Sequence, residues 1–133
     1  MAIVGTSKLQ SYQQMEVGTI IRKILRQYDS SNDIIISGGA KGVDTLAVDR
    51  AKRLGFSVKI HKPTLEEWKY YKERNLLIAN ECDHLYCITT PVYKIRCYHH
   101  GTPQDHEKTA GCWTMKKALE LDKKCNILVI SQI

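Results

Sequence analysis

Short apolar runs alternate with amphipathic segments along the whole chain. Five runs have the length and the apolar or alternating composition of strands: Met1–Gly5, Ile34–Ile36, Phe56–Ile60, His84–Ile88 and Asn126–Ile130. Four segments between them repeat apolar residues at the spacing of a helix: Gln13–Tyr28, Val43–Leu54, Leu65–Asn80 and Cys112–Leu119. Strands that alternate with helices indicate an α/β three-layer sandwich, in which a mainly parallel sheet of about five strands carries helices on both faces.

Local signals also predict where two of the helices begin or end. Gly55 follows the second helix, and glycine suits the left-handed position just after a helix. Thr64–Glu67 has the form of a capping box, in which the Thr64 hydroxyl accepts a hydrogen bond from the Glu67 amide and the Glu67 side chain reaches back. We therefore expect the third helix to begin directly after Thr64.

The segment Ser37–Asp44 joins the second strand to the second helix through three glycines. The first amides of a helix have no intrahelical partner, and the helix dipole adds partial positive charge there, so such a turn suits phosphate. Glycine lets a ligand approach the backbone closely, and Lys41 adds a full positive charge. The spacing excludes a P-loop and the strict dinucleotide fingerprint. The turn is therefore predicted to form the floor of a nucleotide-type site. The alternative is a tight turn that binds no ligand.

Three loops are expected to meet at one edge of the sheet. Ligands of open α/β sheets bind at the carboxyl ends of the strands, near the point at which the strand order reverses. Gly5–Ser7 follows the first strand, the Gly38–Gly42 turn follows the second, and a long loop follows Ile88. We therefore expect all three loops to line one site.

The composition indicates which classes of partner the chain is expected to bind. Its 133 residues carry a formal charge of +6, with an isoelectric point near 9.1, which favours anionic partners such as nucleotides, nucleic acid or acidic surfaces. The basic residues are dispersed, so a solvated basic surface is the alternative. We expect one domain over residues 1–133. The sequence has no long apolar run and no signal-peptide start, which predicts a soluble, cytoplasmic protein without a membrane partner.

Cysteine and histidine cluster in the loop before the last helix. Cys97, His100, His106 and Cys112 form the spacing Cys-x2-His-x5-His-x5-Cys, and zinc binds such mixed sulfur and nitrogen sets tetrahedrally. A complete set of four protein ligands leaves no open position, so we expect a structural zinc that stabilises the loop over residues 89–112. His99 is an alternative to His100, and a polar loop without a metal is the alternative to the site. The five cysteines are odd in number, which argues against a disulfide framework.

The motif Ser-Gly-Gly-Ala-x-Gly-Val-Asp at residues 37–44, followed by a helix with alanines, resembles that of the SLOG superfamily. This group of Rossmann-like nucleotide-binding domains includes DNA-processing protein A, the lysine-decarboxylase-like phosphoribohydrolases and the YspA/YpsA-like proteins. The similarity continues over nearly the whole chain, at Pro63, Trp68, Tyr71, Arg74, Asn75, Asp83 and Ala110–Thr114. It implies a Rossmann-like fold and a nucleotide or nucleotide-like ligand.

The resemblance also implies roles for individual residues, because two glycine turns hold the ligand phosphate in such relatives. The implied ligand contacts are Gly5, Thr6, Ser7, Gly38, Gly39, Ala40, Lys41, Gly42, Asp44, Arg74, Asn75, Gly111 and Thr114. An ionised Asp44 would repel a phosphate, so it is expected either to contact ribose hydroxyls or to stabilise the helix dipole. Arg74 is expected to grip a phosphate or base with two hydrogen bonds. Trp68 and Tyr71 either stack on a base or pack in the core.

The resemblance does not assign one reaction. Relatives that cleave the N-glycosidic bond of nucleoside monophosphates carry a Pro-Gly-Gly-x-Gly-Thr turn closely followed by glutamate. In residues 109–117 the proline is absent, Trp113 replaces a glycine and lysines replace the glutamate, although such cleavage uses a positioned carboxylate. We therefore expect a nucleotide-binding protein, a sensor or carrier. The alternatives are a nucleotide-processing hydrolase or transferase, in which Asp44 acts chemically, and nucleic-acid binding of the DNA-processing type. Fold analogy favours a homodimer.

Overall fold

A computed structural model describes residues 1–100 and 105–130. Strands and helices alternate in the order β1 (Ala2–Gly5), α1 (Ser11–Leu25), β2 (Ile34–Ser37), α2 (Val43–Arg53), β3 (Ser57–Ile60), α3 (Trp68–Glu81), β4 (His84–Thr89), α4 (Ala110–Glu120) and β5 (Lys124–Val129). The predicted five strands and four helices are all present. Most of their ends differ from the predicted ones by one to three residues, as expected of boundaries read from periodicity.

All five strands are parallel and lie in the order β3-β2-β1-β4-β5. The chain therefore runs outward from β1 to β3 on one side and from β4 to β5 on the other. The strand order reverses between β1 and β4, which pair from Ala2 and Leu85 to Gly5 and Ile88. The carboxyl ends of these two central strands form the crevice in which open α/β sheets bind ligands.

Two apolar clusters cover the two faces of the sheet and confirm the three-layer arrangement. Helices α1 and α2 pack together on one face, over buried residues such as Ile3, Ile21 and Ile35. Helices α3 and α4 pack together on the other face, over residues such as Val4, Ile78 and Leu85. Alternate residues of β1 thus enter opposite cores, because side chains of a strand alternate between its two faces.

The beginning of α3 differs from the prediction. The helix begins at Trp68, Glu67 precedes it in an extended conformation, and no side chain caps its first amides. Residues 64–67 lie in bends, so the Glu67 amide does not occupy the third helical position that a capping box at Thr64 requires. The capping-box prediction is wrong, and residues 62–66 line a cleft instead.

Two other expectations concern single residues and the surface. Gly55 has a φ of +84°, which confirms the predicted left-handed position at the end of α2. Within residues 1–100 and 105–130, no helix combines the length and the hydropathy needed to cross a membrane. Four residues of the predicted metal-stabilised loop, 101–104, lie outside the described part of the chain.

Candidate functional site

Three glycines allow the ends of β1, α2 and α4 to meet. A Cβ atom on Gly5 would lie 2.1 Å from the carbonyl oxygen of Ile88, and one on Gly42 would lie 2.4 Å from that of Thr6. A Cβ atom on Gly111 would lie 2.8 Å from the amide nitrogen of Gly5. Gly42 also has a φ of +82°, a conformation that favours glycine. These glycines therefore serve close backbone packing, which brings both glycine turns to one edge of the sheet.

The first depression at this edge, the switch-point cleft, lies between the end of β1 and the loop that follows β4 and has a volume of about 320 Å³. Nine of the predicted ligand contacts line it: Gly5, Thr6, Ser7, Ala40, Asp44, Arg74, Asn75, Gly111 and Thr114. Sequence reasoning missed the rest of its lining, namely Val4, Lys8, Tyr93, Lys94, Ile95, Glu107, Lys108, Thr109 and Ala110. Most of these missed residues lie in the loop after β4, whose sequence has no periodic pattern.

A second depression, the side cleft, adjoins the first and has a volume of about 780 Å³. Its lining includes Gly38–Lys41 from the glycine turn, residues 62–66, and Tyr71. The two clefts share the residues Ser7, Ala40, Arg74 and Ala110, which form a ridge between them. Gly42 lines neither cleft, although the sequence predicted a ligand contact there; its role in the described structure is the close packing against Thr6 and Ser7.

Arg74 lies at the junction of the two clefts and is held by its neighbours. It is buried, with 8% of its surface exposed. Its Nη1 donates to the carbonyl oxygen of Gly38 at 2.6 Å, and its Nε donates to Oδ1 of Asn75 at 2.7 Å. The guanidinium lies 5.5 Å from the centre of the Tyr71 ring. Because these contacts restrict its rotamers, Arg74 presents a fixed positive charge to both clefts.

Asp44 lies in the switch-point cleft with 6% of its surface exposed. Burial removes water from the carboxylate and raises the pKa of Asp44 to about 7. The Arg74 guanidinium and hydrogen bonds from the backbone amides of Ala40 and Gly38 act in the opposite direction but do not outweigh this desolvation. Near neutral pH a large fraction of Asp44 is therefore protonated, and a protonated carboxyl does not repel a phosphate.

The amides of the glycine turn have partners within the chain. Those of Gly38 and Ala40 hydrogen-bond Asp44, the Gly39 amide donates to Oγ of Ser37 at 3.1 Å, and the Val43 amide donates to the carbonyl oxygen of Thr6 at 3.1 Å. These four donors are not directed at a ligand. The charge that this edge offers an anion comes instead from side chains.

Lysines surround both clefts. Lys8, Lys94 and Lys108 line the switch-point cleft, and Lys41 and Lys62 line the side cleft. The acidic residues in the same linings are Asp44, Glu66 and Glu107. With Arg74, the basic side chains outnumber the acidic ones, so the edge favours phosphate groups.

Glu107 stabilises one wall of the switch-point cleft. Its Oε1 accepts hydrogen bonds from the backbone amides of Tyr93 at 2.9 Å, Lys94 at 2.8 Å and Ile95 at 3.1 Å. Desolvation raises the pKa of this carboxyl, but the amides of Lys94, Tyr93 and Ile95 outweigh it and hold the pKa below its usual value. The ionised carboxylate therefore fixes three successive residues of the wall. No local sequence pattern indicates this contact, because the partners are 12 to 14 residues apart.

The predicted metal ligands come together beside this wall. The donor atoms of Cys97, His100, His106 and Cys112 all lie within 4.8 Å of one another. The described residues offer no hydrogen-bond partner to the buried atoms His100 Nδ1, His100 Nε2 and His106 Nε2, and buried polar atoms are normally satisfied. His99 is outside the set, and its ring packs against that of Tyr98 at 4.7 Å. The group is a candidate metal site, and it includes His100 rather than His99.

Cys87, on β4, contacts the cluster without belonging to it. A hydrogen bond from its thiol is the largest influence that lowers the pKa of Cys112, and a hydrogen bond from the Thr109 hydroxyl acts in the same direction. Cys87 is fully buried. The thiolate form is the one that binds metals, so these contacts prepare Cys112 as a ligand.

The aromatic residues have different surroundings. Tyr71 lines the side cleft. Trp68 is 46% exposed, packs edge-to-face on Trp113 at 5.5 Å between ring centres, and lines neither cleft. Of the two aromatic residues considered for base stacking, only Tyr71 lies where it would reach a ligand at this edge. Tyr93, which is 52% exposed, lines the switch-point cleft.

Residues 1–59 match the family model described as DNA recombination-mediator protein A. The matched segment contains β1, α1, β2 and α2 and therefore both Gly5–Ser7 and Gly38–Asp44. The match confirms the relation to DNA-processing protein A that the glycine motif indicated. A comparison with curated proteins found none that matches.

Two solved structures have a similar fold. One is the X-ray structure of DNA processing protein A from Streptococcus pneumoniae, with a TM-score of 0.67 and 16% identity, covering 99% of this chain and 50% of that one. The other is DNA processing protein A from Helicobacter pylori, described by its single-stranded DNA binding mode, with a TM-score of 0.60 and 17% identity, covering 99% and 65%. The chain thus spans about half to two thirds of their lengths. At these identities the likeness establishes the Rossmann-like fold.

Proposed function

We propose that this relative of DNA-processing protein A binds single-stranded nucleic acid along the edge formed by the two clefts. The observation that carries the proposal is the arrangement of two adjoining basic clefts on either side of one fixed arginine, Arg74. Each cleft also has a tyrosine in its lining, Tyr93 in one and Tyr71 in the other. Basic grooves with aromatic stacking surfaces are how proteins bind single strands without reading sequence.

The division of this edge into two clefts favours a nucleic-acid strand over a free nucleotide as the ligand. A mononucleotide in the switch-point cleft would leave Lys41, Lys62 and Tyr71 of the side cleft without a ligand. A strand that crosses the ridge at Ser7 and Ala40 would place successive nucleotides in both clefts and its linking phosphate beside Arg74. The relation to the DNA-processing proteins, one of which is described by its single-stranded DNA binding mode, supports the same choice.

Binding to a labelled oligothymidylate, measured by fluorescence anisotropy at several salt concentrations, tests the proposal. We expect binding that weakens steeply with salt, with each of Lys41→Ala and Lys108→Ala reducing the magnitude of the logarithmic salt slope by about 0.7. Lys52→Ala, on the exposed side of α2 and outside both clefts, is the matched control and should leave the slope unchanged. A salt-independent signal, or equal effects of the three variants, would overturn the proposal.

The second candidate is a free nucleotide as ligand, with or without hydrolysis. It rests on Asp44, because a carboxyl with a pKa of about 7 in a cleft suits acid–base chemistry near neutral pH. Competition separates the two candidates: a nucleoside monophosphate that displaces the oligonucleotide at equal concentration supports a nucleotide ligand. Mass spectrometry of the same mixtures would detect a product, which Asp44→Asn should abolish if Asp44 acts chemically.

We also propose that the cluster of Cys97, His100, His106 and Cys112 binds one structural zinc ion. Two sulfur and two nitrogen donors match the preference of zinc, and a tetrahedral ion at bond lengths of about 2.0–2.3 Å would bring donors now within 4.8 Å of one another slightly closer. The ion would also give one buried nitrogen of each imidazole, His100 and His106, a partner that the described residues lack. Four protein ligands leave no open position, so the expected role is to stabilise the loop.

Elemental analysis of protein purified without a metal-affinity tag tests the zinc site. We expect about one zinc per chain, a stoichiometry that four protein ligands to one ion imply. His100→Asn should lose the metal, whereas the adjacent His99→Asn should retain it, and Cys125→Ser should also retain it because Cys125 lies outside the cluster. The assignment would be contradicted if metal-free wild-type protein did not bind added zinc, or if the two histidine variants lost equal amounts of zinc.

A further inference from the structure

We propose that metal binding at Cys97, His100, His106 and Cys112 organises the switch-point cleft, with Glu107 as the positioning residue between the two sites. The inference rests on the proposed binding of nucleic acid for its ligand, and on the residues around the metal site for its mechanism. Metal and nucleic acid are therefore expected to bind cooperatively to one chain.

The metal ligands and the cleft wall belong to one hydrogen-bonded pair of segments. The Cys97 amide donates to the carbonyl oxygen of His106 at 2.9 Å, and the Lys108 amide donates to that of Ile95 at 2.8 Å. Between them, Arg96 and Glu107 form an antiparallel bridge. A metal ion bound by Cys97 and His106 would therefore hold the two segments together directly beside Glu107.

From this point Glu107 reaches the wall directly. Its carboxylate accepts the three amides of residues 93–95, and its own amide donates to the carbonyl oxygen of Thr90 at 2.9 Å. The carbonyl oxygen of Glu107 accepts from the Thr89 hydroxyl at 2.9 Å. Glu107 is thus bonded to the end of β4 and to the cleft wall at once, while its neighbour His106 faces the metal site.

The opposite wall is connected to the metal through α4. Cys112 lies in the first turn of this helix, and its amide donates to the Thr109 hydroxyl at 3.1 Å. Ala110, Gly111 and Thr114 of the same segment line the cleft. A metal ion that fixes Cys112 against Cys97 would therefore fix both walls relative to each other.

Apart from the bonds to Glu107 and the backbone pairing with residues 106–108, few contacts hold the wall. Tyr93, Ile95 and Tyr98 are about half exposed, at 52%, 48% and 56%, so within residues 93–98 apolar burial is concentrated at Cys97, which is itself one of the proposed metal ligands. Partly ordered segments restrict binding, because a ligand must bear the cost of ordering them. If one ligand orders a site in its binding form, a second ligand binds that site more tightly, and the effect is reciprocal.

The experiment compares zinc-loaded protein with protein stripped by a chelator. We expect the stripped form to bind the oligothymidylate about tenfold more weakly, and the oligonucleotide to raise zinc affinity by the same factor. Hydrogen exchange followed by mass spectrometry should show that zinc slows exchange of the amides of residues 93–95 even without nucleic acid. Equal exchange at these amides in both forms would overturn the inference.

Glu107→Gln separates positioning from general loss of structure. The variant should keep one zinc and a cooperative unfolding transition, yet bind the oligonucleotide about tenfold more weakly and exchange the 93–95 amides faster, because its side chain loses the charge that these donors contact. The control Glu120→Gln changes an exposed carboxylate at the end of α4 and should alter neither property. A Glu107→Gln protein with wild-type exchange at residues 93–95 would contradict the role of Glu107.

The outcomes also separate this inference from the proposed function. If neither metal form binds the oligonucleotide while zinc still protects residues 93–95, then nucleic-acid binding is wrong and the organisation of the wall by the metal stands. If both forms bind the oligonucleotide equally well, the proposed function stands and the coupling is wrong.

Discussion

We expect Gly5→Ala to lower the free energy of unfolding by about 4 kcal/mol. Losses of this size are exceptional and occur where the surrounding structure cannot move to accept the new side chain. The added Cβ atom would lie 2.1 Å from the Ile88 carbonyl oxygen and 3.0 Å from a methyl carbon of Val43. The carbonyl belongs to β4, which pairs with β1, so the clash is with backbone that cannot rotate away. Urea denaturation followed by circular dichroism measures the loss. The same change should abolish oligonucleotide binding, because Gly5 is in the floor of the cleft.

A matched control is Gly18→Ala. Gly18 lies inside α1, is buried, and an added Cβ atom would meet the end of the flexible Arg50 side chain at 3.2 Å. Alanine favours a helix interior over glycine by about 1 kcal/mol, so this variant should be as stable as the wild type or slightly more so. If Gly5→Ala proved as stable as Gly18→Ala, the close packing of β1 against β4 would be refuted.

The second large effect is on the pH dependence of stability, through Asp44. Its pKa is about 7 in the folded chain and 3.8 in a solvated one, so between these values the folded state keeps a proton that the unfolded state releases. The contribution of Asp44 to the free energy of unfolding is therefore greatest below pH 4 and falls as the pH rises to 7. The difference between these two pKa values corresponds to a decrease in the free energy of unfolding of up to about 4 kcal/mol.

Asp44→Asn has no proton to lose and should not show this fall. Relative to the wild type, the variant should become more stable by up to about 4 kcal/mol between pH 4 and pH 8, measured by urea denaturation at each pH. Glu81, Asp83 and Glu107, whose pKa values are lowered, act in the opposite direction but are present in both proteins and cancel. Asp49→Asn, also on α2 but more exposed, is the control. A pH-independent difference between wild type and Asp44→Asn would rule out the buried protonated carboxyl.

The same proton bears on ligand binding. While Asp44 is protonated, a phosphate beside Arg74 meets one positive charge and a neutral carboxyl. Above pH 7 the carboxylate would oppose the phosphate and pair with Arg74 instead. We therefore expect oligonucleotide affinity of the wild type to fall between pH 6 and pH 8 and that of Asp44→Asn to remain nearly constant. This refines the expectation from sequence, which treated Asp44 as an anion.

Much of the fold was predictable because its signals are local. The apolar runs of β1, β2 and β4 and the helical spacing of α1 and α2 depend on neighbours a few residues apart. The capping box failed for the same reason, since Thr64–Glu67 carries a valid local pattern that the chain does not use. Residues 64–66 line the side cleft instead, and no pattern within four residues encodes that placement.

The candidate site was predictable in its chemistry more than in its geometry. The candidate metal ligands were predictable because four donors of the right type fall close together in sequence, and the structure brings them together. The glycine turn was identified by its motif, but its amides were expected to face a ligand and several of them face Asp44, Ser37 and Thr6. Ligand binding by the residues of the two clefts stays a prediction.

By itself, the sequence determined the alternation of strands and helices, the glycine turns at the ends of β1 and β2, and the metal-ligating residue types, because each is carried by residue identity and short-range spacing. The tertiary structure alone decided the strand order, the division of the edge by Arg74, the position of His100 rather than His99 in the cluster, the raised pKa of Asp44 and the reach of Glu107 to residues 93–95. Each of these depends on burial or on contacts between segments distant in the chain, and local sequence patterns encode neither.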